Sequence, residues 1–165
     1  MEKNIILIGM AGCGKSTVGV LTAKALGYEF IDTDLIIQKA ENRLLQEIIN
    51  ESGLEYFSAA ESRALSGINA KSTVIATGGS AVYCDDAMQH LKTDGICIWL
   101  KLPYEEIVRR ISNISTRGIA IAEGKTLLDV FNEREPLYQK YADIVIECGG
   151  GIEETVSAVI GAICK

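Results

Sequence analysis

Short, mostly apolar runs alternate along the chain with longer stretches in which apolar residues recur at every third or fourth position. The runs at 4–8, 29–31, 73–76, 96–100 and 144–147 are rich in β-branched residues, as strands buried on both faces of a parallel sheet are. The segments 15–26, 34–40, 45–50, 54–69, 85–92, 104–111, 127–141 and 153–164 read as helices. Strand–helix alternation of this kind predicts one α/β domain over 1–165, a parallel sheet with helices on both faces. Pro103 suits the opening of a helix. Pro136 falls inside 127–141 and is expected to kink that helix or divide it. The segment 112–124, SNISTRGIAIAEG, breaks the pattern. Loops this long inside a domain are usually functional or disordered, and it is read as a mobile lid. The alternative is a tethered surface loop without a role.

The turn after the first run carries the strongest chemical signal. Gly9-Met10-Ala11-Gly12-Cys13-Gly14-Lys15-Ser16-Thr17 fits the phosphate-loop pattern G-x-x-x-x-G-K-[ST], with a strand before it and a helix after it. A chance match in a chain of this length is on the order of 1%. Glycines let successive backbone N–H groups converge on an anion, and the next helix adds its N-terminal N–H groups and dipole. Gly12, Cys13, Gly14, Lys15, Ser16 and Thr17 are therefore the candidate nucleotide-binding residues. Lys15 reaches for the terminal phosphates and Ser16 for Mg²⁺.

Ligands of open parallel sheets bind beyond the carboxyl ends of the strands, so the turns after the second and third strands are the next candidates. Asp32-Thr33-Asp34 ends the second. Asp34 can accept a proton from an attacking hydroxyl or orient it, and Asp32 can hold Mg²⁺ through water. The plainer alternative for Asp34 is helix capping. Thr77-Gly78-Gly79-Ser80 comes after the third strand and permits close backbone approach to a substrate, or is a plain turn. Arg109 and Arg110 close one helix, Arg117 lies in the expected lid, and Arg134 is on the next helix. An arginine brought in by a closing lid can meet the charge of a transferring phosphoryl group, which makes Arg117 a catalytic candidate beside Lys15 and Asp34.

Composition narrows the partners. Hydrophobic residues make up 48% and charged residues 23%, with a formal net charge of −6. That charge argues against nucleic acid or an anionic membrane surface as a partner. Five cysteines at scattered positions fit free thiols in a reducing compartment. His90 is the one histidine. It is read as a surface residue, and its isolation argues against a zinc site or a His-based triad. The first strand comes directly after Met1-Glu2-Lys3, leaving no room for a signal peptide. A cytoplasmic monomer acting on a small molecule is expected. Cys13, beside cations at a helix N-terminus, could have a lowered pKa and be oxidation-sensitive, or could simply fill a turn.

With these segments in view, the chain resembles a shikimate kinase, a small member of the nucleoside-monophosphate-kinase-like P-loop group. GMAGCGKST resembles that family's phosphate loop, FIDTD its acceptor-binding Asp motif and TGGSAV its triple-glycine segment. VRR resembles its adenine-side arginine, here Arg110. STRGIA resembles its lid, and NEREPLY the helix with a substrate-binding arginine, here Arg134. The resemblance implies a three-layer P-loop kinase fold, with strand order 2-3-1-4-5, acceptor-binding helices at about 34–62 and a lid. It implies ATP and Mg²⁺ as cofactors, and transfer of the γ-phosphoryl group to the 3-hydroxyl of shikimate in aromatic amino-acid biosynthesis. In that scheme Asp34 binds the acceptor hydroxyl and Arg134 its carboxylate.

The acceptor side departs from the family pattern. Phe57-Ser58-Ala59-Ala60-Glu61 has Ser58 where a second carboxylate-binding arginine is expected. Arg63 lies roughly 140° further round a helix and cannot easily stand in. Losing such a charge-assisted bond costs about 2–5 kcal/mol, ten-fold to several-thousand-fold in affinity. Ser80 replaces the third glycine, and Gly118 replaces a lid proline. Gly78, Gly79 and Ser80, with Ser58, Asp34 and Arg134, are the candidate acceptor residues. Two other readings stay open: the same fold acting on a gluconate-like, amino-acid-like or nucleoside-monophosphate acceptor, and a nucleotide-binding sensor without catalysis.

Overall fold

In the computed structural model, residues 3–112 and 119–164 are described. Five parallel strands form one sheet in the order β2-β3-β1-β4-β5: β1 (Asn4–Ile8), β2 (Glu29–Asp32), β3 (Thr73–Ala76), β4 (Gly95–Lys101) and β5 (Ile144–Glu147). Every residue of β1 is buried, as is every residue of β3. Each fully buried Ile or Leu there contributes about 1.5–3 kcal/mol, which is why the apolar runs predicted these strands so well. The helices are α1 (Lys15–Leu26), α2 (Thr33–Glu41), α3 (Leu45–Ser66), α4 (Asp85–Thr93), α5 (Tyr104–Ser112), α6 (Leu127–Tyr141) and α7 (Ile152–Ile163), with a 3₁₀ turn at Ala81–Tyr83.

The helices expected at 45–50 and 54–69 are the two arms of α3. Gly53, at φ 84° and ψ 170°, breaks the helical path between them, and the second arm ends at Ser66 because Gly67 caps it. Pro136 does not divide its helix, since α6 continues across it to Tyr141. The start of α6 is fixed by a capping box: the Asp129 N–H donates to Thr126 Oγ1 at 3.1 Å, and the Thr126 N–H to Asp129 Oδ2 at 2.8 Å.

The strand order puts β1 at the centre, between β3 and β4. The chain leaves β1 for one half of the sheet and later returns to the other, so the crevice above the tip of β1 is a topological switch point. The turns after β1, β2 and β3 all open there. Cross-links between strand tips hold them in place. Thr77 donates to the Leu7 carbonyl through both its N–H (3.2 Å) and its hydroxyl (2.9 Å), and the Gly78 N–H donates to Thr33 Oγ1 (3.2 Å).

Candidate active site

The turn after β1 is a cradle. Gly12 and Gly14 sit at φ 81° and 96°, a region that disfavours any side chain. Gly14 is the N-cap of α1 and supplies no side-chain cap, so the first N–H groups of that helix are left for an anion. The Lys15 ammonium, almost buried, donates to the carbonyls of Gly9 (2.7 Å) and Met10 (2.9 Å) and to Cys13 Sγ (3.6 Å). Cys13 is buried beneath the loop, which works against its being an exposed oxidation sensor. Thr17 is exposed on the first turn of α1. Arg110 lies against the cradle: its Nη1 reaches the Gly12 carbonyl at 3.4 Å, while its Nε donates to Glu106 Oε1 at 2.8 Å. Arg109 is tied to Glu106 as well, facing solvent. Arg117 and Gly118 lie outside the described residues.

At the tip of β2, Asp32 does two things. One oxygen accepts the Ser16 hydroxyl at 2.6 Å and the other accepts the Asp34 N–H at 3.0 Å. Capping of α2 thus falls to Asp32, not Asp34, and Asp34 lines the cavity. A hydroxyl beside a carboxylate is a donor set that suits Mg²⁺, a cation that keeps most of its waters and takes few protein ligands.

A cavity of about 290 Å³ runs from the cradle past the turn after β3 to Arg134. Ala11, Lys15, Ser16, Asp32 and Asp34 line it at one end, and Phe57, Glu61, Ser80 and Arg134 at the other. Gly78 and Gly79 are glycines for lack of room. A Cβ on Gly78 would come within 2.6 Å of Glu61 Oε1 and 3.0 Å of Asp34 Oδ1. One on Gly79 would lie 3.0 Å from Arg134 Nη1 and 3.2 Å from the Ala11 nitrogen. Ser80, at φ −92°, needs no glycine, and its hydroxyl donates to Glu61 Oε2 at 2.6 Å. Arg134 is buried at 2% exposure. Its Nη2 donates to the Ala120 carbonyl at 2.9 Å, its guanidinium stacks over Tyr83 at 5.5 Å, and its Nε has no partner among the described residues. Tyr138, fully buried, donates its hydroxyl to the Gly79 carbonyl at 2.7 Å and anchors that loop to α6.

Ser58 is exposed and does not line this cavity. It lines an adjoining recess of about 150 Å³ that shares Phe57, Ser80, Ala120 and Arg134 with it. Arg63 faces away, pairing with Glu41 at 3.4 Å and lying over Tyr56.

Sequence reasoning missed Glu61. It is 1% exposed, its Oε1 has no partner among the described residues, and burial raises its pKa to about 7. The Ser80 hydrogen bond opposes that rise, the Asp34 charge adds to it, and the Arg134 and Lys15 charges oppose it. A signal was available: Glu61 stands on the buried stripe of Phe57, Ala60 and Leu65, where a carboxylate is costly without a purpose.

Comparison with known proteins decides the family. The family model described as shikimate kinase matches residues 11–164. The chain belongs to the shikimate kinase family. Shikimate kinase 2 of Serratia proteamaculans is 35% identical over 99% of this chain and 97% of its own length. The shikimate kinase of Caldanaerobacter subterraneus subsp. tengcongensis is 38% identical over 99% and 97%. A solved shikimate kinase from Acinetobacter baumannii, in complex with shikimate, superposes with a TM-score of 0.90 at 30% identity, covering 99% of this chain and 94% of that one. The P-loop kinase fold and strand order expected of the family are those observed. Among the described residues, no helix is long and apolar enough to cross a membrane.

Proposed function

We propose that this member of the shikimate kinase family transfers the γ-phosphoryl group of ATP to the 3-hydroxyl of shikimate. The observation that carries the reading is the continuity of one cavity from the phosphate cradle, past Asp34, to the buried cation Arg134. A donor phosphate at one end and an anionic hydroxyl compound at the other would meet at Asp34.

The chemistry of each group sets its role. The loop N–H groups and the N-terminus of α1 bind the phosphates. Lys15 exchanges its carbonyl partners for phosphate oxygens, and Arg110 lies on the nucleotide side. Ser16, with Asp32 behind it, would hold Mg²⁺, which supplies neutralisation of the β- and γ-phosphate charge when bound. Asp34 orients the acceptor hydroxyl and takes its proton. Arg134 binds the acceptor's carboxylate, and Gly78, Gly79 and Ser80 form the wall beside the ring. Segment 112–124, with Arg117, is the proposed lid; its described part brings Ile119 and Ala120 to the cavity. The chain is read as a monomer acting in the cytoplasm.

The relatives named above are shikimate kinases and give no support to a gluconate-like or nucleoside-monophosphate acceptor. A coupled ADP-release assay over shikimate, gluconate, homoserine and nucleoside monophosphates tests the reading. Shikimate is expected to win by a wide margin. A larger kcat/KM for any other acceptor would overturn it.

A further inference from the structure

Arg134 is a buried cation whose Nη2 donates to the Ala120 carbonyl. Arg134 lines both spaces, so an anion bound to it would border the 150 Å³ recess. That recess is also lined by Ser58, Tyr83, Lys125 and Glu133. Ser58 is too short to fill it and brings no charge. Lys125 does bring one. Its backbone is held just ahead of the α6 capping box, its N–H donating to the Ala122 carbonyl at 3.1 Å. Its ammonium lies over the first turns of α6 and donates to Glu133 Oε2 at 2.5 Å, while the Tyr83 hydroxyl donates to Glu133 Oε1 at 2.6 Å. The Lys125–Glu133 pair is half-exposed, at 43% and 40%. An ammonium has three donors, so one bond to Glu133 leaves capacity for another anion.

We propose that Lys125 is a second cation for the acceptor's carboxylate, acting from the wall of the recess that Ser58 leaves open beside Arg134. The proposal rests on the acceptor reading under Proposed function and names a residue that determines acceptor affinity in this chain. The acceptor class it favours is a small cyclic or branched hydroxy acid whose carboxylate points away from the phosphate cradle.

The test is steady-state kinetics with shikimate and, as a neutral probe, its methyl ester. Lys125→Ala is expected to raise KM for shikimate about ten-fold, the weak end of a charge-assisted bond at a half-exposed site, with kcat and KM for ATP little changed. Lys125→Arg retains most of the affinity. Glu133→Gln breaks the same ion pair but keeps the cation, and does not raise KM. Ser58→Arg, placed in the Lys125→Ala background, returns a cation to the recess that Ser58 also lines and restores affinity; no gain over Lys125→Ala counts against the proposal. The methyl ester is insensitive to Lys125→Ala. An unmoved KM in Lys125→Ala overturns the proposal, as does an equal rise in Glu133→Gln or an equal loss with the ester. A wild-type chain inert toward shikimate sinks the acceptor reading itself, whereas normal wild-type turnover with Lys125→Ala unaffected sinks only the second cation.

Discussion

The two ends of the cavity are built from different materials. The phosphate end is mostly backbone: consecutive N–H groups of one loop and the first turn of one helix, with Gly12 and Gly14 in a left-handed conformation. The end proposed for the acceptor is made of side chains. Asp34 comes from α2, Phe57 and Glu61 from α3, Ser80 from the turn after β3, and Arg134 from α6. A backbone site is constrained by chain geometry and leaves a fixed spacing in the sequence. A side-chain site can exchange one residue for another, and Ser80 stands there where the family pattern has a glycine.

The difference makes graded predictions. The largest effect is expected at the backbone end. Lys15→Ala should lower kcat by at least about a hundred-fold, because no other described side chain brings a cation to the same carbonyl-lined position. A kcat within a few-fold of wild type would remove Lys15 from phosphoryl transfer. Next is Arg134→Ala, which should raise KM for the acceptor ten-fold to several-thousand-fold, about 2–5 kcal/mol, and spare KM for ATP. An equal loss for both substrates would mean that Arg134 supports the fold rather than the acceptor.

Glu61 separates the two ends by pH. In the folded chain it keeps its proton up to about pH 7, against an ordinary value of 4.5. Between those values the folded state binds more protons than the unfolded state. Stability therefore falls as pH rises from about 4.5 to 7 and levels off above, by about 3 kcal/mol in all. Urea unfolding from pH 4.5 to 8 should show that slope, and Glu61→Gln should flatten it. A slope unchanged in Glu61→Gln would assign the pH dependence to other groups. The smallest effect is that of Ser80→Ala. It removes the hydroxyl that donates to Glu61, moves the titration upward and costs about 1 kcal/mol above pH 7. An unshifted titration would show that the Ser80 bond does not hold the carboxylate.

The same contrast governs what could be read from the sequence. All five strands were legible as short apolar runs, most plainly β1 and β3, which are buried throughout. The phosphate loop was legible because glycine, lysine and serine at fixed spacing have one common physical cause. Gly53 breaks the helical path between the helices expected at 45–50 and 54–69, and the gap between those two patterns marks the break. Pro136 is accommodated within α6, although proline usually interrupts a helix interior. Glu61 was missed because a carboxylate in a helical pattern is ordinarily assigned to the solvent face, and only its place on the Phe57–Leu65 stripe argued otherwise. The sequence pattern does not single out Lys125, which stands between the segment read as lid and the start of α6 and comes to line one recess with Arg134 only in the folded chain. Asp34 was singled out by its place after the second strand and Arg134's carboxylate role by the family resemblance; the structure brings both to one cavity. Arg117 lies outside the described residues.

The central claim is that a phosphate donor and a hydroxyl acceptor meet at Asp34. Single-turnover transfer of a γ-³²P label from Mg·ATP to shikimate, in the wild-type chain and in Asp34→Asn, tests it most directly. The account predicts labelled shikimate 3-phosphate from the wild type, and at least about a hundred-fold slower labelling by Asp34→Asn with ATP binding retained. Labelling by Asp34→Asn at the wild-type rate, or no label on shikimate from the wild type, would contradict it.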